Sequence, residues 1–92
     1  MNEFLNLKGN INIIDVRSVE KYNNSHIPNA INIPFQKIVL YPDNYLDKES
    51  RYYIYCQRGT TRYKVCQLLI PMGYKVTNVN GGYESWILSQ KM

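Results

Sequence analysis

A chain of 92 residues, 45% hydrophobic and 20% charged, has room for a single modest core, so one domain over residues 1–92 is expected. Its formal net charge of +4 comes from scattered Lys and Arg, which argues against a nucleic-acid-binding face. No apolar run approaches the roughly 20 residues of a membrane span, and the start Met1-Asn2-Glu3-Phe4-Leu5-Asn6 lacks the basic-then-apolar order of a signal peptide, so a soluble cytoplasmic protein is expected.

Ile11-Asn12-Ile13-Ile14-Asp15-Val16 is a β-branched run long enough for one buried strand. Ser18 stands as an N-cap, and Glu20-Lys21-Tyr22 provides a short helical segment. Ser25 to Ala30 reads as a turn, because Pro28 fixes its own φ and pushes Ile27 to extended geometry. Ile31-Asn32-Ile33 is a very short strand stopped by Pro34.

Phe35 to Leu40 fits a helix with Phe35, Ile38 and Val39 inward, broken by Tyr41-Pro42-Asp43-Asn44. Arg51 to Tyr55 is the next strand. From Thr61, Val65, Leu68, Leu69 and Met72 recur at helical spacing, and Pro71 and Gly73 close that helix. Lys75 to Val79 is a strand, Gly81-Gly82 a tight turn and Tyr83 to Leu88 a helix. Strands alternating with helices predict an α/β fold with a largely parallel sheet, in which ligands gather outside the carboxyl ends of the strands.

Cys56 occupies one of those ends. It closes the run Tyr52-Tyr53-Ile54-Tyr55 and opens the polar loop Gln57-Arg58-Gly59-Thr60-Thr61-Arg62. Strand, cysteine, turn and helix in that order aim a sulfur at backbone N–H groups and at the positive end of a helix dipole, which favours a thiolate. Gly59 permits the backbone to curl, and Arg58 and Arg62 are placed to grip an anionic substrate or else to be solvated. The competing reading of Cys56 is a small buried hydrophobe. Cys66 falls on or beside the apolar stripe of the following helix and is expected in the core. The two cysteines form neither a disulfide framework nor a zinc site, and His26, the only histidine, reads as a turn residue; no metal or cofactor is expected.

Four motifs in order resemble the single-domain rhodaneses, a sulfurtransferase family. They are Asp15-Val16-Arg17, the stretch Ser25-His26-Ile27-Pro28-Asn29-Ala30-Ile31-Asn32-Ile33-Pro34, the loop opening Cys56-Gln57-Arg58-Gly59, and Asn80-Gly81-Gly82-Tyr83-Glu84-Ser85-Trp86. The match spans about residues 11–86. Ser25 and Asn29 replace the family's usual glycines, and Thr61 and Arg62 differ from many relatives within the loop.

The resemblance implies a rhodanese-like fold with helices on both faces of the sheet. It implies transfer of a sulfane sulfur from an anionic donor such as thiosulfate to a thiol or cyanide through a persulfide on Cys56. Gln57, Arg58, Gly59, Thr60, Thr61 and Arg62 would hold the donor. Asp15 and Arg17, which end the first strand on the same sheet edge as Cys56, are expected to brace the loop or the turn after Pro28. The partners would be that donor and a thiol acceptor, small molecule or protein, with no nucleic acid or membrane. Two other readings use the same fold. Cys56 to Arg62 also fits the Cys-x5-Arg spacing of cysteine phosphatases and arsenate reductases, although the loop is short for tetrahedral phosphate. A persulfide carrier or a non-catalytic interaction module is the third.

Overall fold

A computed structural model describes residues 12–57, 61–79 and 81–90, with 61–64 as backbone only. The β-branched pair Ile13-Ile14 forms the middle of strand β1, Asn12–Asp15. Ser18 then caps helix α1, Val19–Asn24, its Oγ accepting from Lys21 N at 3.3 Å and so satisfying an orphan amide of the first turn. Strand β2 is only Ile31–Asn32, because Pro34 lacks an N–H and cannot extend the ladder. Helix α2, Phe35–Leu40, starts directly after that proline and gives way to a 3-10 turn at Pro42–Asn44.

Strand β3 is Arg51–Tyr55 and helix α3 is Thr61–Leu69, tightening to a 3-10 turn over Ile70–Met72. Gly73 ends it at φ +102°, left-handed backbone that glycine enters without steric cost. Strand β4, Lys75–Asn78, and helix α4, Gly82–Gln90, follow.

The four strands lie in the order β2-β1-β3-β4, and every pairing is parallel. Ile14 sits between Ile31 and Ile54, and Asp15 between Asn32 and Tyr55. The two-residue period sends alternate side chains to opposite faces, and each face has its own core. Ile14, Val16, Tyr52, Ile54, Cys56 and Val76 pack with Ile38 of α2 and with Val65, Cys66 and Leu69 of α3. Ile13, Tyr55 and Val79 pack with Ile27, Ala30 and Tyr83, flanked by Tyr22 of α1 and by Trp86 and Ile87 of α4. The connection from β1 to β2 steps one way across the sheet and those from β2 to β3 and β3 to β4 step the other, so right-handed crossovers place α1 on the face opposite α2 and α3.

The expected α/β architecture is therefore present, with differences at element edges. Ile11 lies outside the described residues. β4 stops at Asn78, although Val79 N still donates to Ile54 O at 3.0 Å. α1 continues to Asn24, and α4 runs from Gly82 to Gln90 rather than from Tyr83 to Leu88. Leu68 and Met72, expected on the buried stripe, are 47% and 46% exposed. Val65, Cys66 and Leu69 form the true stripe; Leu68 is turned roughly 100° away from its centre, and Met72 falls in the 3-10 turn, where the α-helical period no longer applies.

The turn into α4 has the strictest backbone requirement. Gly81 and Gly82 take φ +78° and +62°, and a Cβ on Gly81 would lie 2.5 Å from Ser85 Cβ. Gly81→Ala is expected to lower unfolding free energy by roughly 1–3 kcal/mol, measured by urea denaturation. A change below about 0.5 kcal/mol, the size of an ordinary surface substitution, would show that the turn accommodates the methyl group.

Candidate active site

β1 and β3 end side by side, and the chain leaves them in opposite senses, β1 toward β2 and β3 toward β4. Diverging connections at such a switch point open a crevice above the strand ends. A cleft of about 730 Å³ lies there. The residues that follow the two strands, Val16, Arg17, Cys56 and Gln57, line it together with Ser18, Lys21, Asn24 and Ser25 from α1 and its flanks, and with Tyr83 and Glu84 from the first turn of α4.

Cys56 immediately follows β3. Its side chain is 6% exposed and belongs to the same apolar cluster as Val65 and Cys66 of α3. One side of the residue thus rests on hydrocarbon while another meets the cleft. Cys66 is also buried, and neither cysteine is in a disulfide. The backbone at Cys56 is tightly held: Tyr83 N donates to Cys56 O at 2.7 Å, and Glu84 N donates to Gln57 O at 3.1 Å. Amides in the first turn of a helix have no intrahelical acceptor, and here two of them in α4 fasten the opening of the cysteine loop.

A buried polar network stands beside the cleft. Asp15 is fully buried; its Oδ1 accepts from Arg17 N at 2.8 Å and from Arg17 Nε at 3.0 Å, and its Oδ2 accepts from Arg17 Nη2 at 2.7 Å. Tyr55 Oη also donates to Oδ2 at 2.7 Å and accepts from Ile27 N at 3.1 Å. Arg17 continues outward, donating to Ser25 O at 2.6 Å and to Gln57 Oε1 at 3.1 Å, with its guanidinium 4.2 Å from the centroid of the Tyr83 ring. One side chain therefore ties the end of β1, the turn before Pro28 and the residue after Cys56 together. Removing a partner from a buried ion pair typically costs about 3–5 kcal/mol, because the other charge is left buried and uncompensated.

Burial acts to lower the Arg17 pKa, but the hydrogen bonds and charge of Asp15 outweigh it and push the guanidinium above its ordinary value. Burial, reinforced by Asp15, holds the Tyr55 phenol well above the usual range, against the opposing pull of Ile27 N–H and Arg17. His26 sits in the turn as expected, its Nδ1 donating to Tyr22 O at 2.8 Å and its ring stacked on Tyr22.

The structure thus gathers Cys56, Gln57 and Arg17 at one cleft, with Asp15 directly behind Arg17. Thr61 and Arg62 fall in the first turn of α3; Arg58, Gly59 and Thr60 lie outside the described residues. Sequence reasoning missed Tyr83, Lys21, Asn24 and the clamp from α4. The Gly81-Gly82 pair was the available signal for that clamp, since two left-handed residues before a helix turn its first amides sharply back toward the sheet.

A family model described as a rhodanese-like domain matches residues 1–89. The chain belongs to the rhodanese-like family. The thiosulfate sulfurtransferase GlpE of Coxiella burnetii is 36% identical over 80 residues, 86% of this chain and 74% of that protein. The putative sulfurtransferase YtwF of Bacillus subtilis is 35% identical over 74 residues, 80% of this chain and 71% of its own. The putative sulfur carrier protein YrkF of the same organism is 32% identical, with 83% of this chain and 41% of its own covered. Among solved structures, a rhodanese-like domain protein from Staphylococcus aureus superposes with a TM-score of 0.77 at 38% identity, covering 92% of this chain and 81% of that one. These relatives support a rhodanese-type sulfurtransferase in general terms.

The Tyr55 phenol gives a pH signature. A folded-state pKa raised above the unfolded value contributes stability that is complete below the unfolded value and is lost as pH rises toward the folded one. Above the ordinary tyrosine pKa of about 10, the unfolded chain releases this proton while the folded chain retains it. Unfolding free energy should then fall with pH by up to about 1.4 kcal/mol per pH unit from this group. Tyr55→Phe should cost roughly 1–3 kcal/mol at neutral pH but show a shallower alkaline decline in denaturant titrations. Parallel curves for the two proteins would remove Tyr55 as the source.

Proposed function

We propose that this protein is a sulfurtransferase that carries a sulfane sulfur as a persulfide on Cys56, taking it from an anionic donor such as thiosulfate and passing it to a thiol or cyanide. The observation that carries the reading is the position of Cys56: it ends β3 at the switch point of the sheet, where it lines the cleft. Membership of the rhodanese-like family and the sulfurtransferases among its relatives support it.

In the first step the Cys56 thiolate attacks the outer sulfur of thiosulfate. A bond forms between the two sulfurs, the sulfur–sulfur bond of the donor breaks, and sulfite leaves with the electron pair. In the second step an acceptor thiolate takes the outer sulfur and the electron pair returns to Cys56 Sγ. Both resting states are anionic, so one electrostatic environment serves both. In this reading the amides of Gln57, Arg58, Gly59, Thr60, Thr61 and Arg62 and the side chains of Arg58 and Arg62 grip the donor, while Asp15 and Arg17 hold the floor of the cleft in shape. A carrier that hands its sulfur to another protein would use the same first step, and the similarity to a putative sulfur carrier favours keeping it as the second reading.

Intact mass after incubation with thiosulfate tests the first step. The expected gain is one sulfur atom, absent in Cys56→Ser and retained in Cys66→Ser. Thiosulfate:cyanide transfer should fall to the uncatalysed background in the first variant and largely persist in the second. Equal losses in both would point to a two-cysteine redox reaction, and turnover of an aryl phosphate without sulfur uptake would point to the phosphatase reading. Loading without turnover on small acceptors would select the carrier.

A further inference from the structure

Most polar side chains around the cleft are already engaged. Arg17 is committed to Asp15, Ser25 O and Gln57. Ser18 Oγ caps α1, Ser25 Oγ shares a hydrogen bond with Tyr83 Oη, and Glu84 accepts from Gln57 Nε2 at 3.5 Å. Two groups differ. Among the described residues, the Lys21 ammonium and the Asn24 side-chain amide have neither a hydrogen bond nor an ion pair, and both line the cleft. They lie three residues apart on one side of α1, about 4.5 Å along the helix axis.

The charge balance gives this pair its chemistry. The Arg17 cation is neutralised by buried Asp15, so Lys21 supplies the positive charge on the α1 side of the cleft, with the Glu84 carboxylate on the α4 side. An ammonium beside an amide N–H donor suits a carboxylate, and the neighbouring amide oxygen suits an N–H or O–H donor of the same ligand. Size points the same way. A cleft of about 730 Å³ is in the range that holds organic ligands, far roomier than thiosulfate, a tetrahedral anion little larger than sulfate, requires.

We propose that Lys21 and Asn24 form an acceptor subsite that takes the carboxylate of a small organic thiol, an inference that rests on the persulfide reading above. With the carboxylate held there, the acceptor thiol gives its proton to the outer sulfur of the anionic Cys56 persulfide, and the resulting thiolate attacks that sulfur. The bond from Cys56 Sγ to that sulfur breaks and its electron pair stays on Sγ. The transferred sulfur keeps its proton and leaves as the organic persulfide. Atoms and charge balance without an oxidant or reductant.

Thiosulfate loading, read by intact mass and by its rate, is measured first in the unmodified protein and in Lys21→Gln; absence of loading in the unmodified protein would remove the persulfide reading itself. Sulfur transfer is then followed to mercaptoacetate and to 2-mercaptoethanol, an acceptor without the carboxylate, each thiol being compared with itself across variants. Loss of a solvent-exposed charge contact predicts a KM for mercaptoacetate raised roughly two- to fivefold in Lys21→Gln, more in Lys21→Glu, and restored in Lys21→Arg. The KM for 2-mercaptoethanol and the loading rate should not change. Added salt should narrow the difference between unmodified protein and variant. Equal effects on both thiols, no effect on mercaptoacetate, or slowed loading with acceptor KM unchanged would each overturn the acceptor subsite.

Discussion

The bond network from Asp15 through Arg17 fixes what the rest of the site can be. A carboxylate and a guanidinium cannot be buried this deeply unless each lone pair and N–H has a partner. The partners come from four places: the end of β1, the phenol of Tyr55 on β3, the carbonyl of Ser25 before the Pro28 turn, and the side-chain carbonyl oxygen of Gln57. Satisfying one ion pair therefore specifies the relative positions of two strand ends, one turn and the residue beside Cys56. The pair lends little net stability in such a setting; it makes alternative arrangements of these segments expensive.

The two faces of the sheet divide the work. On one, aliphatic side chains from α2 and α3 pack against Ile14 and Ile54, and Cys56 joins that cluster. On the other, Tyr55 and Tyr83 stack beside the Arg17 guanidinium. The cysteine sits where apolar packing meets the polar crevice. Packing locates the residue on one side, and the crevice opens beside it on the other.

The fold was readable from the chain because its strands are short β-branched or aromatic runs and its breaks carry Pro or Gly, so local propensity agrees with tertiary structure. Cys56 and its neighbours were readable from their order along the chain. The polar network was only half visible: Asp15 and Arg17 lie two residues apart in sequence, whereas Tyr55 looks like any strand aromatic until β1 and β3 pair in register. Lys21 and Asn24 look like ordinary solvated positions on a short helix, and only the placement of α1 beside the switch point turns them toward a cleft. The mistaken inward assignment of Leu68 and Met72 has a similar origin: the buried stripe is centred on Val65, Cys66 and Leu69 and leaves Leu68 to one side, and Met72 fits a helical period that the chain abandons at Ile70.

The amides of Tyr83 and Glu84 reach across to the carbonyls of Cys56 and Gln57, which has a bearing on order of assembly. A segment of the chain that begins at Gly81, after β4, completes the cleft beside Cys56. Until α4 docks, the thiol and its loop have no such anchor, and the aromatic cover that Tyr83 lays over Arg17 is missing as well. The cleft thus takes its final shape with the docking of α4, together with the closing of its aromatic face.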